Sequence, residues 1–197
     1  MDNILSFKTP KTFERWLDKN HHKSNGFWLR VYKKGFGANA LKNTEVLDPL
    51  LCYGWITGQA RRGGKKSVLW WICPRRKNSL WSEINKNHAK RLINEGKMKP
   101  SGMKKIDEAK KDGRWDATYP RQRTATVPVD FLDKVNKNKK AKAFLKTLNR
   151  INTYAIIFRL YNTRDKKKRM EKMEKIIKML EEGKMFHKTE KKAHRIR

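Results

Sequence analysis

Clusters of arginine and lysine are the residues of this sequence best suited to hold a charged partner. Guanidinium and ammonium groups donate hydrogen bonds to phosphates, and several together displace the counterions of a polyanion. Two clusters lie close together in the first half of the chain and a third lies near its end. Their members are Arg61, Arg62, Lys65 and Lys66, then Arg75, Arg76 and Lys77, and finally Lys166, Lys167, Lys168 and Arg169. This pattern predicts contacts to nucleic acid or another polyanion.

The overall charge supports the same prediction. The chain has 50 Lys and Arg against 19 Asp and Glu, a formal net charge of +31. Self-repulsion of that size would be relieved by an anionic partner. Residues 160–197 contribute 14 basic and 6 acidic side chains, or +8, which leaves +23 on the first 159 residues. The alternative is that these lysines only solvate the surface.

Aromatic side chains near the cations could stack on unpaired bases. Trp81, Trp115 and Tyr119 are the candidates, with packing in the core as the alternative for each. The sequence contains no aromatic RNP segment, KH loop or zinc finger. Charge, rather than a known binding motif, therefore carries the prediction.

A second set of residues could line a pocket for an anionic metabolite. Glu45 and Asp48 are three apart, so they could share a helix face as acid and base, or they could simply stabilise the helix start. Cys52 could be a reactive thiol or a buried structural cysteine. The complete candidate pocket is Glu45, Asp48, Cys52, Ser79, Trp81 and Asn85.

Signatures of known catalytic machinery are missing from the sequence. It has no nucleophile elbow, P-loop, dinucleotide fingerprint or complete set of metal ligands. We therefore expect a non-catalytic binding protein without a cofactor or metal. An enzyme or small-ligand-binding protein that uses the candidate pocket is the alternative.

A β-hairpin is predicted to position the first two clusters. Its strands would span 56–62 and 65–73, joined by a two-residue turn at Gly63-Gly64, because adjacent glycines suit the positive φ angles of such a turn. The run SVLWWIC shows no alternation, which indicates a strand covered on both faces, with a buried helix as the alternative. Pro74 lacks a backbone donor and would end the pairing. Ser79 would then cap a helix over 79–94.

The rest of the chain predicts an α+β fold, with a small antiparallel sheet packed among several helices. Thr9 and Pro10 are typical of a helix start, and FWLRVY (27–32) is typical of a strand. The predicted organisation is a tryptophan-rich body over 1–120, a helical part over 121–183 and a basic, disordered tail over 184–197. The clearest predicted helix spans 163–182, with Gly183 as its stop.

Several segments together resemble one known family. These are LLCYGWITG, PRRKNSLWSEIN, LINEGKMKPSGMKKIDEAKKDGRW and TRDKKKRMEKMEKIIKMLEEGK, in this order. The chain is similar, from about Phe7 to Gly183, to the bacteriocin-protection, YdeI or OmpD-associated (OmdA) family. Two departures stand out: Thr57 occupies the place of the family's usual Asp, and Ile72-Cys73 stand where Phe-Thr is more usual.

This resemblance implies a stress or protection protein, acting through its partners, and it implies no reaction, cofactor or catalytic residue. If the carboxylate replaced by Thr57 does chemistry in relatives, this chain has lost it. Protein partners are a further expectation and could coexist with polyanion binding.

The sequence also bears on location. The first 30 residues contain no apolar segment typical of a signal peptide, and no apolar run is long enough to span a membrane. Two cysteines are too few for a disulfide framework. We expect a cytoplasmic protein with reduced thiols and no membrane insertion.

Overall fold

The computed structural model describes residues 3–33, 35–37 and 40–188. Most of the predicted tail, 189–197, lies outside the described residues. The chain divides into two compact units, one ending at Thr118 and the other beginning at Tyr119. Helices and a four-stranded sheet make up the described structure, which confirms the predicted α+β class with a helical C-terminal part.

The sheet belongs entirely to the first unit. Its strands are β1 (Ile4–Leu5), β2 (Phe27–Tyr32), β3 (Trp55–Arg62) and β4 (Ser67–Pro74), in the order β1-β2-β4-β3. β2, β4 and β3 pair antiparallel, as predicted. The short β1 pairs parallel with β2, so the sheet as a whole is mixed.

The two faces of this sheet differ in burial. On β2, fully buried and half-buried residues alternate, and the buried ones join the helices in one hydrophobic core. The prediction that β4 is covered on both faces holds for part of the strand: on the side away from that core Ser67 and Leu69 are buried, whereas Trp71 and Cys73 are half-buried. We call this side the outer face. The residues on it that matter below are Trp28, Arg30, Arg61, Trp71 and Cys73.

The described part of the first unit also contains four α-helices, α1 (Pro10–Asn20), α2 (Leu47–Cys52), α3 (Glu83–Asn94) and α4 (Pro100–Lys111), and a short 3-10 helix at Asn43–Glu45. The side chain of Thr9 caps α1, as predicted. Pro49 lies in the first turn of α2. Backbone N–H groups in the first turn have no acceptor within the helix, so a proline, which lacks the N–H, costs no helical hydrogen bond there. The cap of α3 is Ser82, not Ser79, so this helix begins later than predicted.

The second unit is helical and has its own core. Its helices are α5 (Val129–Val135), α6 (Lys139–Thr147), α7 (Arg150–Tyr161) and α8 (Lys166–Glu181). Fully buried Phe131, Ile156, Leu160 and Leu180 form the centre of that core. Asp165 caps α8 by accepting a hydrogen bond from the N–H of Lys168 at 2.8 Å. Among the described helices of either unit, none is long and apolar enough to cross a bilayer.

Candidate functional site

At the tip of the hairpin, a four-residue loop replaces the predicted two-residue turn, and side-chain hydrogen bonds hold this loop in place. Residues 63–66 separate the strands, and of the two glycines only Gly64 has a positive φ, +108°. The Ser67 hydroxyl donates to the Gly63 carbonyl at 2.6 Å, and Arg30 donates to the same oxygen at 2.8 Å. Arg30 also reaches the Ser67 hydroxyl at 3.0 Å. Arg30 of the outer face thus fixes the loop that carries Lys65 and Lys66.

The predicted cations of the tip are exposed, and two of them lie against aromatic rings. Arg61, Arg62, Lys65 and Lys66 all have exposed side chains. The guanidinium carbon of Arg61 lies 4.0 Å from the ring centroid of Trp28. The Lys66 ammonium lies 5.5 Å from the ring of Phe36, which is itself 47% exposed. Cation–aromatic contacts of this kind hold a charged group in place at low conformational cost.

Two tryptophans lie side by side next to these cations. Trp28 on β2 is the direct cross-strand neighbour of Trp71 on β4, and their ring centroids are 5.5 Å apart at 62°. Arg61 stands on β3, so its contact with Trp28 crosses the width of β4. The outer face therefore combines half-buried indole rings with an exposed guanidinium.

An irregularity in β3 lies opposite Trp71. Between the pairs Thr57–Ile72 and Ala60–Trp70, β3 has one residue more than β4, which marks a β-bulge at Gly58 or Gln59. A Cβ at Gly58 would stand only 3.1 Å from Cδ1 of Trp71. Glycine at this point lets the indole lie close to the backbone of β3.

A cleft of about 550 Å³ opens beside these rings. This volume falls within the roughly 300–1,000 Å³ of ligand sites. Cys73 and Thr57 both line it. Burial raises the pKa of the Cys73 thiol, so the thiol stays protonated at neutral pH. The described lining contains one charged side chain, that of Arg76, and no acidic one. The lining residues are Trp28, Ile56, Thr57, Gly58, Gln59, Trp71, Cys73, Pro74, Arg76 and Ser79.

The second predicted cluster divides between the surface and the core. Arg76 and Lys77 are exposed, whereas Arg75 is 2% exposed. The guanidinium carbon of Arg75 lies 3.9 Å from the ring centroid of Trp81, and its NH1 donates to the Leu80 carbonyl at 2.8 Å. Arg75 therefore supports the core instead of contacting a polyanion.

The residues predicted to form one pocket are found in four places. Glu45, Asp48 and Cys52 do line a common cleft of about 630 Å³. Ser79 lines the cleft of the outer face instead. Trp81 is 1% exposed and packs on Trp115, with ring centroids 4.9 Å apart, so the core alternative is correct for both. Asn85 is half-buried in the first turn of α3, where its N–H donates to Ser82.

The side chains in the first of these places are engaged in structural contacts. Glu45 accepts a hydrogen bond from the backbone N–H of Lys42 at 2.8 Å. Asp48 accepts from His88 at 2.7 Å and forms an ion pair with Arg91. Burial opposes ionisation of Asp48, but these two partners outweigh it and hold its pKa below the usual value. Burial raises the pKa of the Cys52 thiol to about 11, which favours the structural interpretation of this cysteine.

The third cluster lies at the start of α8 in the second unit. Lys166, Lys167 and Lys168 are exposed. Arg169 is half-buried and donates to both carboxylate oxygens of Asp130, at 2.9 and 3.0 Å, and to the Leu160 carbonyl. It therefore connects α8 to α5 and is not available as the fourth member of a surface cluster.

Sequence reasoning missed the aromatic members of the outer face, Trp28 and Trp71. It selected Trp81, Trp115 and Tyr119 for stacking, of which the first two are buried and the third packs on Phe158 at 5.0 Å between ring centroids. The alternation of β2 is a signal that could have placed Trp28 opposite the core.

Comparison with family models gives two matches. Residues 5–105, about half of the chain, match a domain of unknown function (DUF8412). Residues 124–183 match the Bacteriocin-protection, YdeI or OmpD-Associated model (OmdA), which confirms the predicted resemblance there. The segments LLCYGWITG and PRRKNSLWSEIN lie within the first match. Comparison with curated proteins and with solved structures gives no match.

Proposed function

We propose that this chain, which belongs to the DUF8412 family and carries an OmdA-family segment at residues 124–183, is a non-catalytic nucleic-acid-binding protein. The proposed site is the basic hairpin, defined as β3, β4 and their loop together with Arg76 and Lys77. One observation carries the proposal: the exposed Arg61 of the tip lies over Trp28, and Trp28 lines a cleft whose described lining has an arginine and no carboxylate.

A chain of phosphate groups fits this surface better than a single small anion. Arg61 and Arg62 lie at the end of β3, and Lys65 and Lys66 lie in the loop that follows. The four cations can therefore follow a chain of phosphates rather than surround a single anion. Neutralising several phosphates releases counterions and makes binding strongly salt-dependent. The net charge of +31 would add attraction over longer distances.

The test is a salt series of binding to labelled oligonucleotides by the full chain. One variant, R62A/K65A/K66A, removes three exposed cations of the tip. A matched control, K166A/K167A/K168A, removes the same charge from the start of α8. If the hairpin is the site, the first variant lowers the slope of log affinity against log salt by about 2, since each phosphate contact contributes about 0.7–0.9. The control leaves the slope nearly unchanged.

Two outcomes would contradict the proposal. Equal losses in both variants would show that only total charge matters. Loss of all binding by the unmodified chain near physiological salt would show that the lysines merely solvate the surface.

A further inference from the structure

The indole of Trp71 is held between two glycines. A Cβ at Gly58 would lie 3.1 Å from Cδ1 of this ring, and a Cβ at Gly26 would lie 2.7 Å from its Cζ2. Gly26 also has a φ of +130°, a conformation that other residues rarely adopt. A side chain at Gly26 would therefore force the ring or the β4 backbone to shift, and one at Gly58 would press on the ring. Such a ring is preorganised, because little freedom is left to lose on binding.

The surroundings of this ring suit a flat, unpaired base joined to phosphates. Trp71 and Trp28 both line the outer-face cleft, which gives it aromatic walls. Arg76 lines the same cleft, and Arg61 lies over the Trp28 ring. Gln59 adds an amide that can donate to and accept from the edge of a base. Aromatic stacking beside cations is how proteins hold single strands without reading sequence.

We infer that Trp71 is a stacking platform for a base of single-stranded nucleic acid. The inference rests on the proposed function and adds its substrate class: the basic hairpin prefers single strands to duplexes. In a duplex the bases are stacked on one another, so none can enter the cleft unless it is first unpaired. Phosphate contacts alone would not distinguish the two forms in this way.

The experiment compares ligands that share phosphates and differ in bases. Four labelled ligands of equal length are titrated with the full chain: an oligo-dT, an oligo-U, an abasic single strand and a duplex. The dT and U arms separate DNA from RNA as the source of the same chemistry. We expect the base-bearing strands to bind roughly 5- to 150-fold more tightly than the abasic strand, as for one stacked base.

Variants then assign this preference to a residue. W71A should bind the base-bearing strands no better than the abasic one, with an unchanged salt slope. W71F should keep most of the preference. Y161A, which removes an aromatic ring that is 40% exposed in the second unit, is the control and should behave like the parent chain. If urea denaturation shows W71A to be unfolded, G58V decides instead, because its side chain would press on the Trp71 ring and occupy the cleft beside it.

The outcomes separate this inference from the proposed function. Equal, salt-dependent binding of base-bearing and abasic strands overturns the stacking platform and leaves nucleic-acid binding by the hairpin standing. A base preference that survives W71A, or G58V where W71A is unfolded, overturns the assignment to Trp71. A loss in Y161A equal to that in W71A also overturns it. If no ligand binds near physiological salt, the proposed function fails first.

Discussion

The hairpin tip and the start of α8 have nearly the same charge in the sequence and different surroundings in the structure. Each cluster contains four cations, which lie within the six residues 61–66 at the tip and in the four consecutive residues 166–169 at α8. At the tip, Arg61 lies over Trp28 and Lys66 over Phe36. At the start of α8, Arg169 is held by Asp130, and within the described residues no cation there contacts an aromatic ring.

This difference shows that a count of charges does not identify a binding surface. Lysines in the first turn of a helix are mildly disfavoured by the helix dipole. In α8 the N-cap Asp165 and the Arg169–Asp130 pair offset that cost within the unit. At the tip, by contrast, Arg61 and Lys66 lie against aromatic rings, and one of these rings, that of Trp28, lines a cleft. Aromatic neighbours, more than charge, distinguish the candidate site.

The largest effect on stability is expected from Arg75, the buried cation next to the basic hairpin. R75A removes a guanidinium stacked on Trp81 and leaves the Leu80 carbonyl without its donor. We expect the free energy of unfolding of the first unit to fall by about 3 kcal/mol. Urea denaturation followed by tryptophan fluorescence measures this unit alone, because all seven tryptophans lie at or before Trp115.

The adjacent Arg76 provides the control. R76A should change stability by less than about 0.5 kcal/mol, as is usual for an exposed residue. It should lower the salt slope of oligonucleotide binding by about 1. A stable R75A protein that binds weakly would reverse the assignment and make Arg75 the phosphate contact.

Local signals in the sequence were sufficient for much of the fold. Thr9-Pro10 predicted the start of α1, Gly63-Gly64 predicted the position of the hairpin, and Gly183 predicted the end of α8, because each depends on residues within one turn. The start of α3 was misplaced because both Ser79 and Ser82 can cap a helix, and only packing selects between them.

The candidate site could be predicted only in part, because it depends on contacts between distant residues. Trp28 meets Trp71 through the register of β2 and β4, and that register is not readable from either strand alone. The bulge opposite Trp71 is likewise a property of the pairing. Arg75 and Arg76 are the same type of residue, and only the position of Trp81 determines which one is buried.

A smaller effect is expected from Arg61, which tests whether the aromatic neighbour matters. R61A should weaken single-strand binding by roughly fivefold, or about 1 kcal/mol, and lower the salt slope by about 1. R61K keeps the charge but loses the planar group over Trp28, so it should keep the slope and lose part of the affinity. K167A is the matched change at α8. Equal effects of R61A and K167A on affinity would remove the distinction between the two regions.

The loss of stability in acid can be compared between the two units, because each contains an ion-paired carboxylate, Asp48 in the first and Asp130 in the second. In the first unit, His88 and Arg91 hold the pKa of Asp48 below its usual value despite burial. The stability from this interaction is fully present above the usual Asp pKa and is lost as the pH falls through the lower, folded pKa. D48N should therefore cost about 1 kcal/mol at neutral pH and reduce the loss of stability in acid, measured by urea denaturation over a pH series.

The smallest effect is expected from Asp130, whose side chain is 51% exposed. The hydrogen bonds from Arg169 hold the pKa of this carboxyl below its usual value, so its contribution also disappears only in acid. Because solvent screens the pair, D130N should cost about 0.5 kcal/mol, visible as faster amide hydrogen exchange in α5 and α8 at neutral pH. The same substitution removes the carboxylate that holds Arg169, so all four cations at the start of α8 could then contact a ligand. If aromatic neighbours distinguish the two regions, D130N binds oligonucleotides with the parent's base preference, and the slope of its log affinity against log salt rises by less than 1. A new site as strong as the hairpin would instead mean that Asp130 alone had kept α8 from binding nucleic acid.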